Sequence, residues 1–130
     1  MFLNNETDYA IRIVSCLAKS DTRIDAATIA ASTGVTQRFT LKILHRLVQG
    51  GIVKSFKGNK GGYVLAKPVE EITLLQVVEQ IYGPLNLSRC HSDGSCGCTH
   101  PNGLCEYKDV FSDITTYMRN KLSEVNFSKE

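Results

Sequence analysis

The sequence predicts a mainly α protein with one small β-hairpin: a winged helix-turn-helix followed by a long C-terminal helix. Three observations predict it. Two short helices meet at a glycine, and the second is basic on its outer face. Two β-rich runs follow at once around a glycine-rich tip. A stretch without periodicity then leads to a last helix with one continuous apolar stripe. The chain has 130 residues and 14.4 kDa, enough for one domain plus a docking helix. Its 42% hydrophobic and 22% charged residues exclude global disorder. No apolar run nears the ~20 residues that span a bilayer. The first residues turn polar and acidic at once, unlike a secretory signal. The expected setting is therefore the reducing cytoplasm, where five cysteines do not build a disulfide framework.

Residues 5–20 carry Ala10, Ile13, Val14, Leu17 and Ala18 at helical spacing. Residues 26–33 form a short helix, with Asp25 as N-cap, an Ile24–Ile29 staple across it, and Gly34 as the left-handed stop. Thr36 caps a third helix over 37–49. Ile43, Leu44, Leu47 and Val48 form its inner stripe, while Arg38, Lys42, His45, Arg46 and Gln49 share the other face. Gly50 and Gly51 end it. Strands are expected at 52–56 and 63–66, around the tip Gly58-Asn59-Lys60-Gly61-Gly62. Thr73 and Gln76 make a capping box for a helix over 74–82, with Ile72 and Val77 as its staple, and Gly83-Pro84 breaks it. The last helix covers about 106–125, with Val110, Phe111, Ile114, Tyr117, Met118, Leu122 and Val125 as its stripe. The chain thus divides into a winged helix-turn-helix unit at 1–84, a cysteine-rich loop at 85–105, and a long final helix and tail at 106–130.

The charge distribution points to a polyanion. Between Asp25 and Glu70 lie 44 residues without an acid, which hold Arg38, Lys42, Arg46, Lys54, Lys57, Lys60 and Lys67. At the chain's own acid frequency such a gap has a chance of about one in a hundred. Acids repel phosphates, so a phosphate-facing surface requires such a gap, although a solvated basic face shows it too. In a winged helix the third helix lies in the major groove of double-stranded DNA. There Gln37, Arg38 and Lys42 reach base edges or phosphates. Lys57, Asn59 and Lys60 on the wing reach phosphates or the neighbouring minor groove. Gly61 and Gly62 leave room for close backbone approach. The apolar stripe of the last helix is too broad for a small domain to hide. Pairing with the same helix of a second chain buries it and sets two reading helices ~34 Å apart in a two-fold homodimer; packing on the first helix of the same chain is the alternative.

Cys90, Cys96, Cys98 and Cys105, with His91 and His100, fall within sixteen residues. Gly94, Gly97, Pro101 and Gly103 allow the turns that wrap a loop around a metal centre. Thiolates suit an iron–sulfur cluster first; a reactive thiol switch and zinc are the alternatives, the spacing lacking the C-x2-C pairs of structural zinc sites. Cys16, among apolar neighbours in the first helix, reads as a buried small hydrophobe. No catalytic constellation and no nucleotide motif are present, so the chain does not read as an enzyme.

Tyr9-Ala10-Ile11-Arg12, the stretch from Ile43-Leu44 through Gly51-Ile52-Val53, and the run Lys57 to Ala66 resemble the Rrf2 family of regulators. So do residues 71–81 and a cysteine loop just before a long final helix. The resemblance covers nearly the whole chain. It implies a dimeric winged-helix transcription factor, a repressor of the IscR, NsrR or RirA type. Such a protein would hold a [4Fe-4S] or [2Fe-2S] cluster through three cysteines and a variable fourth ligand, and would sense nitric oxide, iron or redox state. The three cysteines match Cys90, Cys105 and either Cys98 or Cys96, with Cys98 giving the more even gaps. Lys108 stands where the IscR type has a histidine ligand. Asp8 matches the first-helix aspartate that serves the NsrR type from the partner subunit, and Arg12 matches a neighbouring basic residue; alone, Asp8 reads as a helix-start carboxylate. His91 and His100 are rival fourth ligands. The sequence departs from the family at Phe39-Thr40-Leu41: Thr40 stands where a core leucine is usual, and Leu41 where a base-discriminating polar residue can be. The alternatives are a cluster-free regulator that oxidises Cys96 with Cys98 or Cys90 with Cys105, and a small iron–sulfur electron carrier, which leaves the basic helix and wing unexplained.

Overall fold

The computed structural model describes residues 4–59, 61–85 and 107–128. Helix α1 (Asn5–Ala18) starts at Asn4, whose side-chain oxygen accepts the Thr7 N–H at 2.8 Å and the Thr7 hydroxyl at 2.7 Å. Helix α2 (Ala26–Thr33) starts at Asp25, whose carboxylate accepts the Thr28 N–H at 2.7 Å. Helix α3 (Gln37–Gln49) starts at Thr36, whose hydroxyl accepts the Phe39 N–H at 3.3 Å. Each cap takes an amide that the first helical turn cannot satisfy itself. Between α2 and α3, Gly34 adopts φ 75° and donates its N–H to the Ala30 carbonyl. This left-handed position turns the chain from one helix into the next, and a side chain there is strained.

Strands β1 (Val53–Phe56) and β2 (Gly62–Leu65) pair antiparallel, with Val53 opposite Leu65 and Phe56 opposite Gly62. Strand β1 starts one residue later than expected and ends where expected, and β2 lies one residue earlier than expected. Ile52 still accepts the Ala66 N–H, so the ladder's last bond lies just outside them. The hairpin is tied to the helices by a bridge in which Ile24 and Tyr63 exchange both backbone hydrogen bonds, at 2.8 and 3.2 Å. The room at the two glycines is used here, by the chain itself. A Cβ on Gly62 would lie 2.9 Å from the Ile24 carbonyl oxygen, and one on Gly61 would lie 2.7 Å from that of Phe56.

A 3-10 turn (Val69–Glu71) leads to α4 (Leu74–Ile81), capped by the Thr73 hydroxyl. Helix α5 (Lys108–Ser123) packs on α4. There Arg119 forms an ion pair with Glu79, and Val125 accepts the Leu74 N–H. The core lies between α1, α3 and α4, where Ile13, Val14, Ile43, Leu44, Leu47 and Val77 are fully buried. Each such side chain contributes about 1.5–3 kcal/mol. Cys16 is not buried as expected. It lies partly buried in an open groove with Ile11, Arg12 and Ser15. No helix among the described residues is long and apolar enough to cross a membrane.

Candidate nucleic-acid interface

The buried side of α3 is Thr40, Ile43, Leu44 and Leu47, which leaves Gln37, Arg38, Leu41, Lys42, His45 and Gln49 exposed. The structure therefore brings Gln37, Arg38 and Lys42 to the open surface of one helix end, as the spacing predicts. Lys57 and Asn59 are exposed at the wing tip. Lys60 lies outside the described residues. The tip end of β1 is tied to the loop before α2 by the Arg23 guanidinium, 3.5 Å from the centre of the Phe56 ring, with the Lys54 ammonium 5.5 Å from it. Arg23 has no signal in the sequence, because its partner is 33 residues away.

Lys42 and Arg46 are less available to a ligand than the acid-free run suggests. Glu6 of α1 receives the Lys42 ammonium at 2.8 Å on one carboxylate oxygen and Arg46 at 3.2 Å on the other. The Lys42 hydrogen bond holds the Glu6 carboxyl below its ordinary range; burial opposes it, and the positive charges of Lys42 and Arg46 add to it. Arg46 also donates to the Ile81 carbonyl at 2.7 Å and the Gln80 carbonyl at 3.4 Å, while the Gln80 amide donates back to the Arg46 carbonyl. Arg46 therefore does not share the outward face expected of it. Carbonyls at the end of α4 have no helical partner, and a guanidinium on the flank of α3 satisfies them. The acid that balances the basic run comes from another helix, which a linear count cannot reveal.

On α1, Asp8 and Arg12 form an ion pair of 3.0 Å one turn apart, with both side chains more than half exposed. Asp8 is thus a surface carboxylate in the first turn. Cys90, Cys96, Cys98 and Cys105, and the rivals His91 and His100, lie outside the described residues. Among the described residues no three His, Cys, Asp or Glu side chains gather to hold a metal ion.

A helix-turn-helix with a bridged two-stranded wing, cationic on its second helix and wing tip, defines a winged-helix DNA-binding protein. The chain belongs to the Rrf2 family: residues 3–129 match the family described as an iron-dependent transcriptional regulator. It is a DNA-binding transcriptional regulator and not an enzyme. It is 33% identical over 99 residues to protein aau3 of Rhizobium meliloti, covering 75% of this chain and 64% of that protein. It is 30% identical over 122 residues to the regulator NsrR of Halalkalibacterium halodurans, covering 92% of this chain and 83% of that one. Its fold is similar to that of CymR, the global cysteine regulator of B. subtilis, with a TM-score of 0.78 at 20% identity over 98% of this chain and 93% of that one.

Proposed function

We propose that the protein is a cytoplasmic, homodimeric repressor whose operator binding is set by an iron–sulfur cluster, [4Fe-4S] or [2Fe-2S]. The observation that carries this reading is the density of thiols, four in sixteen residues, directly before a helix that exposes an apolar face. The donor set fits such a group, since thiolates are soft ligands that hold the irons of a sulfide-bridged cluster. Cys90, Cys98 and Cys105 would hold it, with Cys96 as the alternative to Cys98, and Asp8 of the partner subunit as fourth ligand. When bound, the cluster supplies an iron centre open to nitric oxide, oxygen and iron shortage. The family's description as iron-dependent and the similarity to an NsrR support this reading.

Residues 1–84 form the DNA-binding unit in this reading. The thiolates of loop 85–105 tie that loop into one shape. Residues 106–130 pair two chains through Val110, Phe111, Ile114 and Tyr117, which are exposed on α5. Asp8 then fixes the first turn of α1 in one chain to the loop of the other. Within that first turn, Asp8 faces outward and Glu6 inward to Lys42, which connects the attachment to the reading helix. Gln37 and Arg38 contact base edges; Lys57, Asn59 and Lys60 contact phosphates, and Lys42 does so only in competition with its ion pair to Glu6. A carboxylate is a hard ligand among thiolates, so Asp8 is the weak point.

Spectroscopy of anaerobically purified protein tests the reading. A brown protein with iron and sulfide, bleached by nitric oxide, is expected. Cys90→Ser and Cys105→Ser should lose the colour, and of Cys96→Ser and Cys98→Ser only the second should. A colourless protein whose DNA binding follows peroxide and dithiothreitol would establish instead the cluster-free thiol regulator, which the fourth thiol in Cys96-Gly97-Cys98 favours.

A further inference from the structure

We infer that Leu41 reads a base, by taking up the 5-methyl group of a thymine in the major groove. The inference rests on the reading of α3 as the DNA-contacting helix and adds to it the kind of base recognised.

The apolar side of α3 is complete without Leu41: Ile43, Leu44 and Leu47 are fully buried, whereas Leu41 is 44% exposed. Leu41 comes one turn after Gln37 and Arg38 and one turn before His45, so it stands among the polar groups of the open face. The other exposed apolar residue of the helix, Phe39, lies about 200° away around the axis. Its ring packs near that of Tyr9 on α1, with centroids 6.1 Å apart. Phe39 thus has a use within the chain, and Leu41 is presented outward between side chains suited to base edges.

Each base pair shows the major groove a distinct pattern, and thymine is the base that offers an apolar group there. A leucine gains from that methyl and offers nothing to the amino groups of cytosine or adenine, which would lose water without a partner. Leu41 therefore selects for thymine and against the other bases at one step. Arg38 beside it suits the O6 and N7 of guanine, and Gln37 the N6 and N7 of adenine. Removing one methyl contact is worth about a fourfold change in affinity.

The test selects tight duplexes from a random pool with the full-length, anaerobically prepared protein. Thymines in the winning site are then replaced one at a time by deoxyuridine, which differs only in the missing methyl. The expected result is one thymine per half-site at which the replacement weakens wild-type binding about fourfold. In Leu41→Ala the same replacement should change nothing, and that variant should bind the thymine duplex about as weakly as wild type binds the deoxyuridine one. Tight binding that is insensitive to every replacement, or a thymine that keeps its penalty in Leu41→Ala, overturns the inference while leaving α3 as the DNA-contacting helix. Selection of no duplex at all overturns that underlying reading, and this inference with it.

Discussion

At the residue scale, single side chains are committed more tightly than their types suggest. Thr40 is fully buried on the inner face of α3, and its hydroxyl makes no hydrogen bond among the described residues. A buried hydroxyl without a partner costs about 1–3 kcal/mol. Thr40→Val keeps the shape and removes that cost, so it should raise stability by about 1 kcal/mol, read as a higher denaturation midpoint in urea. Gly62 shows the opposite case. With φ 150° and the Ile24 carbonyl beside it, Gly62→Ala should lower stability by about 1–3 kcal/mol in the same measurement. The sequence marked Gly62 as a place of close approach, but the approaching chain is the loop before α2, 38 residues earlier.

At the scale of elements, what was legible in the sequence is what is local. Asp25, Thr36 and Thr73 cap three helices, and Gly34 stops one, because a cap acts within three residues of itself. The wing was legible from its glycine tip and β-rich flanks. The links between helices were not: Glu6 meets Lys42 and Arg46 across 36 and 40 residues, and nothing in the order of residues announces it. Of the candidate site, Gln37, Arg38, Lys42, Lys57 and Asn59 were placed on the surface by spacing alone, while the commitment of Lys42 to α1 needed the packed helices. The Glu6 link has a pH signature. Its carboxyl titrates below the ordinary 4.5 in the folded protein. Its contribution is therefore complete above that value and is lost as the pH falls through the lowered folded value. Urea midpoints measured from neutral to acid pH should fall less steeply in Glu6→Gln than in wild type. The same variant frees Lys42, and the slope of log affinity for DNA against log salt should steepen by up to about 0.9.

For the whole molecule, the proposed function depends on joining two copies through a face that a single chain leaves open. Tyr117 is 70% exposed and Val110 55% exposed on α5, beside Phe111 and Ile114. In the proposed homodimer, burying that stripe between two copies would give the spacing that a two-fold operator requires. Ile114→Glu should therefore shift the protein from dimer to monomer in sedimentation and weaken operator binding at least tenfold, with its helix content kept. Asp8→Ala should leave the fold unchanged and shorten the lifetime of the bound cluster; an equal lifetime would reject Asp8 as a ligand. The coupling itself need be only ~1.4 kcal/mol to change DNA affinity tenfold. The most direct measurement titrates one selected operator duplex with anaerobic protein of assayed iron and sulfide content, before and after nitric oxide treatment and after chelation. The account predicts that operator affinity changes at least tenfold as the cluster is lost. Affinity that stays the same through nitrosylation, chelation and oxidation, in protein shown to have carried iron and sulfide, would contradict it.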